Sequence, residues 1–405
     1  MVFRIALYTN QFPSTVNTFF SRDVITLLRN GFDVDVYTVY PVKDANWHNV
    51  PVQWRGEIRD QVNIRYVSPI HCVGIPDIIR DDVRNILAQS RNFGIVQWIK
   101  SILVIRQAIN WHEINHFKKY DYFLSYWGNY SATYAYLCNK LMGLDVPFSF
   151  FLHAGTDLYR DQIYLIEKIQ FSKNIFTVCD FNKIFLSQLY PDNYSSFEDK
   201  IILHHLGLDL ENFMFNKNRE SNVLLSVGWF TKAKGFEYAI CALPRVLEKF
   251  PNVTLRIIGD GEDKNRLVKL AKKQGVQNSV CFLGWLPFEK VRAEMEKATL
   301  LIHPSNGLGD AVPTVIKEAI ALGLPVVGSN IAGIPELLGN GKYGVLIPPA
   351  NSSVLANSII SLLENKDARD NFSVSGREFA EQEFNMWKNG KKLSEAIRDC
   401  GSAKR

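Results

Sequence analysis

Asp310 and Glu318 are separated by seven residues, and a glycine-bearing stretch, Asn306-Gly-Leu-Gly309, runs directly into the first of them. Carboxylates at that spacing can accept hydrogen bonds from two sets of hydroxyls. Between them the pattern predicts a helix beginning near Pro313, since a proline at a first helical position gives up an N–H that would be unpaired there anyway. Gly323 and Pro325 close that helix. The backbone around Gly309, Ala311, Val312, Pro313 and Thr314 then lies at a helix N-terminus, where amides and the helix dipole attract phosphate. Glu318 is expected two turns below, out of place as a phosphate ligand but well placed to meet hydroxyls. Amides for phosphate and carboxylates for hydroxyls describe a pocket for a nucleotide sugar.

The elements that must hold such a pocket follow from the rhythm of the chain. Short apolar runs alternate with amphipathic stretches, which is the βαβ pattern of parallel α/β domains. Strands are predicted at 4–8, 33–39, 122–126, 147–152, 175–178 and 201–204, then at 223–227, 254–258, 280–283, 300–302, 325–327 and 345–347. The polar stretch 212–222 is the natural linker. Two doubly wound domains are implied, at 1–210 and 218–373, with ligand expected at the carboxyl ends of strands. The stretch 93–111 carries a Trp/Ile/Leu face with Lys100 and Arg106. It suits either a membrane surface or packing within the protein, and packing is the reading preferred here.

At this point the sequence resembles a known family. Asp310-Ala-Val-Pro-x4-Glu318-Ala-x-Ala-x-Gly323-x-Pro-Val-Val, followed by Gly333-Ile-Pro-Glu336, is similar to the donor-site signature of the retaining family-4 glycosyltransferases. These are the glycosyl transferases group 1, and the likeness is nearest to their exopolysaccharide and colanic-acid-type branch. Asp310 stands for the usual first Glu and Ala311 for the Gly after it. The resemblance implies the GT-B fold, an α/β architecture of two doubly wound Rossmann-like domains facing across a cleft. In that fold a C-terminal helix, here about 374–398, packs back on the first domain.

Further motifs carry the resemblance along the chain. Val227-Gly228-Trp-Phe-Thr-Lys232-Ala-Lys234-Gly235 resembles the family's phosphate-side segment, with Lys234 on its Lys position and Trp229 where an Arg is usual. An indole cannot neutralise phosphate as guanidinium does, and Lys232 is the candidate to compensate. Gly259-Asp-Gly261 resembles the Gly-x-Gly turn near the nucleotide, and Gly284-Trp285 the segment whose backbone lies against the base. The resemblance assigns Lys234 and the amides of 311–314 to the diphosphate, Glu318 to the ribose and Asp310 to a hydroxyl of the donor sugar. His153, in His153-Ala-Gly-Thr-Asp157, would meet that sugar from across the cleft. Asn17, Thr18 and Asp157 are the candidates on the acceptor side. The implied reaction moves a sugar from a UDP- or GDP-sugar donor to a sugar or lipid-linked acceptor, with retention and with no metal or other cofactor.

Composition narrows the field. A net charge of +5 without a Lys/Arg-rich aromatic block carries no nucleic-acid signature. Six scattered cysteines with no Cys-x-x-Cys read as thiols of a reducing compartment. No apolar run reaches membrane-spanning length. A cytoplasmic protein is expected, with room for a peripheral contact on the inner membrane face. Two other readings stay open: a catalytically impaired binding subunit, for which Trp229, Asp310 and Ala311 argue, and a nucleotide-sugar epimerase on the same fold.

Overall fold

The computed structural model describes residues 2–14, 18–70, 74–143, 146–309 and 311–402. The chain divides into two compact units, Met1–Gly207 with Met386–Arg405, and Leu208–Asn385. Asn17 and Asp310 lie outside the described residues, as does the side chain of Thr18.

Unit 1 is built on β1 (Phe3–Thr9), β2 (Phe32–Thr38), β3 (Asn63–Tyr66), β4 (Tyr122–Ser125), β5 (Phe148–Leu152), β6 (Asn174–Thr177) and β7 (Ile201–Leu203). Among the described residues they form one sheet in the order β3-β2-β1-β4-β5-β6-β7. Each pairing is parallel, with Ile5 of β1 opposite Val34 on one side and Tyr122 on the other. Helices cover both faces of a parallel sheet, so its central strands are buried throughout and read as unbroken apolar runs. β5, Phe-Ser-Phe-Phe-Leu, is buried at every position.

The helix Ile95–Asn115 divides the apolar stretch seen in the sequence. Its second half buries Val104, Ile105, Ala108, Ile109 and Trp111 in the core beside Tyr8, Tyr37 and Phe123. Gln107, also buried, donates to the carbonyls of Thr38, Val39 and Val67, so one amide ties the ends of β2 and β3 to this helix. The first half leaves Ile95, Val96, Ile99 and Leu103 exposed. No helix among the described residues is long and apolar enough to cross a membrane.

Unit 2 is built on β8 (Val223–Val227), β9 (Thr254–Ile258), β10 (Val280–Gly284), β11 (Leu300–His303), β12 (Val326–Ser329) and β13 (Val345–Ile347), in the order β10-β9-β8-β11-β12-β13. All of these pairings are parallel too.

Three details differ from the sequence reading. β3 was not expected; it is an edge strand whose alternating exposed and half-buried residues, Asn-Ile-Arg-Tyr, carry no continuous apolar run. The stretch 212–222 is packed rather than free. Phe213 is buried, and Arg219 donates to the carbonyls of Met295, Glu296, Ala298 and Leu322, with burial drawing its guanidinium down to about 10. The expected helix 374–398 is two helices, Lys366–Glu383 in unit 2 and Met386–Ser402 in unit 1. The break comes where the Phe384 carbonyl accepts from Leu208 N and Asn385 bridges Leu208, pairing that replaces helical hydrogen bonds. Within unit 1, Gly390 of the last helix lies so close to Thr26 that a side chain there would collide, and Arg398 stacks over the Phe32 ring at 4.5 Å.

Candidate functional site

In the sheet of unit 2, β8 and β11 are neighbours from which the strand order runs outward in opposite directions. Ligands of open parallel sheets bind beside the carboxyl ends of strands at such a reversal. Two loops meet there. The first leaves β8 through Gly228 and Trp229 and is anchored by Phe230, which is fully buried against Phe236 with ring centroids 5.1 Å apart. Phe230 N donates to the Asp260 carbonyl at 2.8 Å, fixing the loop to the Gly-x-Gly turn after β9. Gly259 and Gly261 permit that contact, because a Cβ at either would strike the backbone of Gly228 or Phe230.

The loop continues through a tight turn, Lys232–Lys234, and Gly235 takes φ +66° to start the helix Phe236–Lys249. The second loop, His303-Pro-Ser-Asn-Gly307 after β11, closes against that turn. Asn306 N donates to the Ala233 carbonyl at 3.0 Å, and Pro304 presses on Gly235. His303 is buried and exchanges a hydrogen bond with Ser305 Oγ at 3.1 Å. Burial first, and the Lys234 ammonium second, push its imidazole down to about 3. It is therefore neutral at physiological pH.

Between the loops lies a cavity of ≈ 220 Å³, lined by residues that include Trp229, Thr231, Lys234, Ser305, Gly309 and Pro313. The Lys234 stem runs past Gly228, its Cδ and Cε 3.8 Å from where a Cβ would stand. Desolvation lowers the Lys234 ammonium to about 8, so at neutral pH it is still charged, in a place that disfavours its charge. A cation held there is poised to gain from an anionic ligand.

The helix beyond the cavity is Thr314–Ala321. Pro313 stands just before it rather than inside it, and the first helical amide is that of Thr314. Glu318 is in the second turn, roughly 6 Å along the axis from Thr314, not two turns down. The helix starts directly after Pro313 and Gly323 ends it at φ +69°, the bounds the pattern predicts. Ala311 is buried, and its carbonyl accepts from Gly333 N at 2.9 Å, which ties the Gly333-Ile-Pro-Glu336 segment to the helix entrance.

Of the residues picked from sequence, Lys234, Gly309 and Pro313 line the cavity, with Gly228 under Lys234 and Gly259 behind Gly228. Ala311, Val312 and Thr314 adjoin it in the chain. Lys232 is exposed on the turn. Gly284 ends β10, where its carbonyl accepts from Gly259 N, and Trp285 after it is exposed. Thr231, Ser305, Gly307, Ile331 and Ile334 also line the cavity and were not picked. The Pro-Ser pair after β11 was the one available signal for Ser305.

In unit 1, His153 follows β5 and is 6% exposed. Rings of Trp127, Tyr126, Phe151 and Phe19 stand around it with centroids 4.7 to 5.8 Å away. The single turn Gly155–Leu158 brings Asp157 back beneath it, with Asp157 Oδ2 3.2 Å from His153 Nδ1. Burial raises the Asp157 carboxyl, with His153 pulling the other way. An ionised Asp157 would accept from Nδ1–H, and Nε2 has no hydrogen-bond partner among the described residues. Asp157, named from sequence for the acceptor side, is buried and meets His153 through Oδ2, while its Oδ1 has no hydrogen-bond partner among the described residues. Asn182 clamps the same loop by donating to the carbonyls of Leu152 and His153.

Comparison with known proteins bears on this arrangement. Residues 209–379 match the family described as Glycosyl transferases group 1. The chain is 25% identical over 419 residues to the amylovoran biosynthesis glycosyltransferase AmsK of Erwinia amylovora, covering 97% of this chain and 99% of that one. It is 28% identical over 196 residues to WcaL of Salmonella typhimurium, a colanic acid biosynthesis glycosyltransferase by name. It is 32% identical over 181 residues to the glycogen synthase of Mycobacterium tuberculosis. The chain spans about half the length of these last two, 48% and 43%. Among solved structures, Anabaena Alr3699/HepE in complex with UDP and glucose superposes with a TM-score of 0.72 over 98% of this chain and 99% of that one, at 16% identity. The two Rossmann-like α/β units expected from sequence are thus the observed architecture.

Proposed function

We propose that this chain, whose residues 209–379 match the Glycosyl transferases group 1 family, is a glycosyltransferase that moves a sugar from a nucleoside diphosphate donor to an acceptor hydroxyl. The observation that carries the reading is the cavity at the β8/β11 reversal, where Lys234 meets a helix entrance. Cation and helix amides together suit a diphosphate. Glu318, farther along the helix, is assigned to the ribose hydroxyls, and Asp310 to a hydroxyl of the transferred sugar. His153 is assigned to that sugar as well, through its Nε2 lone pair. The UDP and glucose named with the Anabaena structure support a UDP-sugar as donor, with GDP-sugar as the other choice. The names of AmsK and WcaL support a role in polysaccharide biosynthesis.

In the reaction the bond from C1 to the diphosphate oxygen breaks and a bond from C1 to the acceptor oxygen forms. The departing diphosphate oxygen takes the proton of the acceptor hydroxyl. Lys234 and the helix amides stabilise the negative charge that builds on the leaving group, which is electrostatic preorganisation. No separate protein base is required, and attack from the face of departure retains the anomeric configuration.

Proton NMR of the reaction with UDP- and GDP-hexoses tests this directly. The expected result is release of the nucleoside diphosphate, with an α-donor giving an α-configured sugar product. A β product would contradict retention. Absence of turnover with every donor and acceptor, from protein that binds a nucleoside diphosphate, would instead favour the binding subunit.

A further inference from the structure

We propose that Lys168 is a positioning residue for His153, holding from the interior of unit 1 both the loop that walls the imidazole and the carboxylate that meets it. The proposal rests on the role assigned to His153 in the function proposed above. Lys168 belongs to the helix Leu165–Phe171, between β5 and β6, and is 1% exposed. Its ammonium has three donors, and all three go to one segment of chain. They reach the carbonyls of Gly128 and Asn129 and Thr133 Oγ1, at 2.8, 3.4 and 3.2 Å. This segment is the loop after β4 with the first turn of the helix Tyr130–Leu141.

The same loop walls His153. The Trp127 ring stands 4.7 Å from the imidazole, and its Nε1 donates to Thr9 Oγ1 at 3.2 Å. Gly128 comes next and is wedged in place, since a Cβ there would strike the Leu152 side chain and press on the carbonyls of Phe151 and Asp157. Gly128 cannot shift that way without moving Asp157, whose Oδ2 meets His153 Nδ1. It also acts on the Asp157 carboxyl electrostatically. Burial raises that carboxyl, while the His153 ring and then the amides of His153 and Gly128 draw it back. Lys168 thus bears on His153 by two short routes, through Trp127 and through Asp157.

A lysine is a costly way to fill this place. Burial lowers its ammonium to about 7, with the charges of Asp157 and Glu167 pulling the other way. An apolar side chain would fill the space and give the Gly128 and Asn129 carbonyls no such donor. The groups that face the ammonium are those two carbonyls, the Thr133 hydroxyl, Asp157 from the turn after β5 and Glu167 from its own helix. His153 stands beyond Asp157. Below pH 7 the clamp is a full ammonium. As pH rises through about 7 the folded protein releases that proton and the clamp weakens.

Two readouts on the full chain test the assignment. In protein labelled with 15N-tryptophan, Lys168→Met should shift the Trp127 indole signal, identified by its loss in Trp127→Phe, and leave those of Trp229 and Trp285 in place. General loss of structure would move all eight. In the transfer assay at saturating donor, Lys168→Met should lower kcat by about tenfold or more, since small misplacements at a reacting centre are costly. Affinity for nucleoside diphosphate should not change. The kcat of the unaltered protein should decline as pH rises through about 7, and that of the variant should not. Thr133→Val removes one acceptor and keeps the shape, so it should move the decline to lower pH, because the charged form loses a partner. An unmoved Trp127 signal, a pH profile shared by Lys168→Met, or a fall in nucleotide affinity matching the fall in kcat would overturn the proposal. If Lys168→Met does not fold, an unchanged profile in Thr133→Val overturns it equally. A chain that transfers no sugar would strike the function proposed above, and the Trp127 signal would then decide alone whether Lys168 holds this loop.

Discussion

Lys234→Met is expected to slow transfer by about 10²–10³-fold with the protein still folded, the loss typical of removing one preorganised group from a developing oxyanion. Methionine keeps the apolar stem that runs past Gly228 and removes only the ammonium. In the free protein that ammonium is a burden, since desolvation has lowered it from 10.5 to about 8. Between those values the unfolded chain holds a proton that the folded chain has released. Stability from this group therefore rises with pH across that window, and below pH 8 the full desolvation cost is present. Lys234→Met should flatten that rise in thermal unfolding curves, and at pH 7 it should not lower stability.

Nucleotide binding should show the reverse trend. A bound diphosphate favours the charged lysine, so affinity should decline as pH climbs above about 8, and the decline should vanish in the variant. A variant that keeps the unaltered rate, or unchanged pH dependence in both measurements, would remove Lys234 from the site.

The second large effect is on the backbone that carries this lysine. Gly235→Ala should destabilise unit 2 by about 2–4 kcal/mol, combining a left-handed backbone penalty with forced overpacking. Gly235 takes φ +66°, and a Cβ there would run into the Pro304 carbonyl. A carbonyl cannot rotate away as a side-chain tip can, so the turn with Lys234 must move and activity should fall with stability. Gly275→Ala is the internal comparison. Its φ of +71° is nearly the same, but a Cβ there meets open space, and its cost should be nearer 1 kcal/mol. Equal shifts in unfolding temperature for the two variants would show that the contact with Pro304 does not matter.

Much of the fold follows from features that local sequence encodes directly. Central parallel strands must be apolar on both faces, so runs such as Leu300-Leu301-Ile302 and Phe148-Ser-Phe-Phe-Leu152 announce themselves. β3 does not, because an edge strand needs no such run. The break at Phe384 is equally silent, being set by a hydrogen bond from Leu208, far away in the chain. The stretch 212–222 misleads for a related reason. Its polar composition suits a linker, yet Arg219 finds four carbonyls supplied by other segments.

The site divides in the same way. The Pro313 helix entrance is legible through spacing, which local geometry enforces, whereas Lys234 is legible only through the family resemblance. Thr231 and Ser305 reach the cavity because two loops close on each other through Asn306 and Pro304, and neither loop encodes that contact alone. Asp157 shows the limit most clearly. The sequence places a carboxylate four residues after a histidine but does not show that one helical turn folds it beneath His153, where Oδ2 meets Nδ1.

The central claim is that the cavity beside Lys234 holds a nucleoside diphosphate. Calorimetric titration of the purified protein with UDP, GDP and ADP tests it most directly, with Lys234→Met and Glu318→Ala titrated alongside. The account predicts micromolar binding of one of the three, abolished or severely weakened in both variants, which would also name the donor base. A folded protein that binds none of them would contradict it.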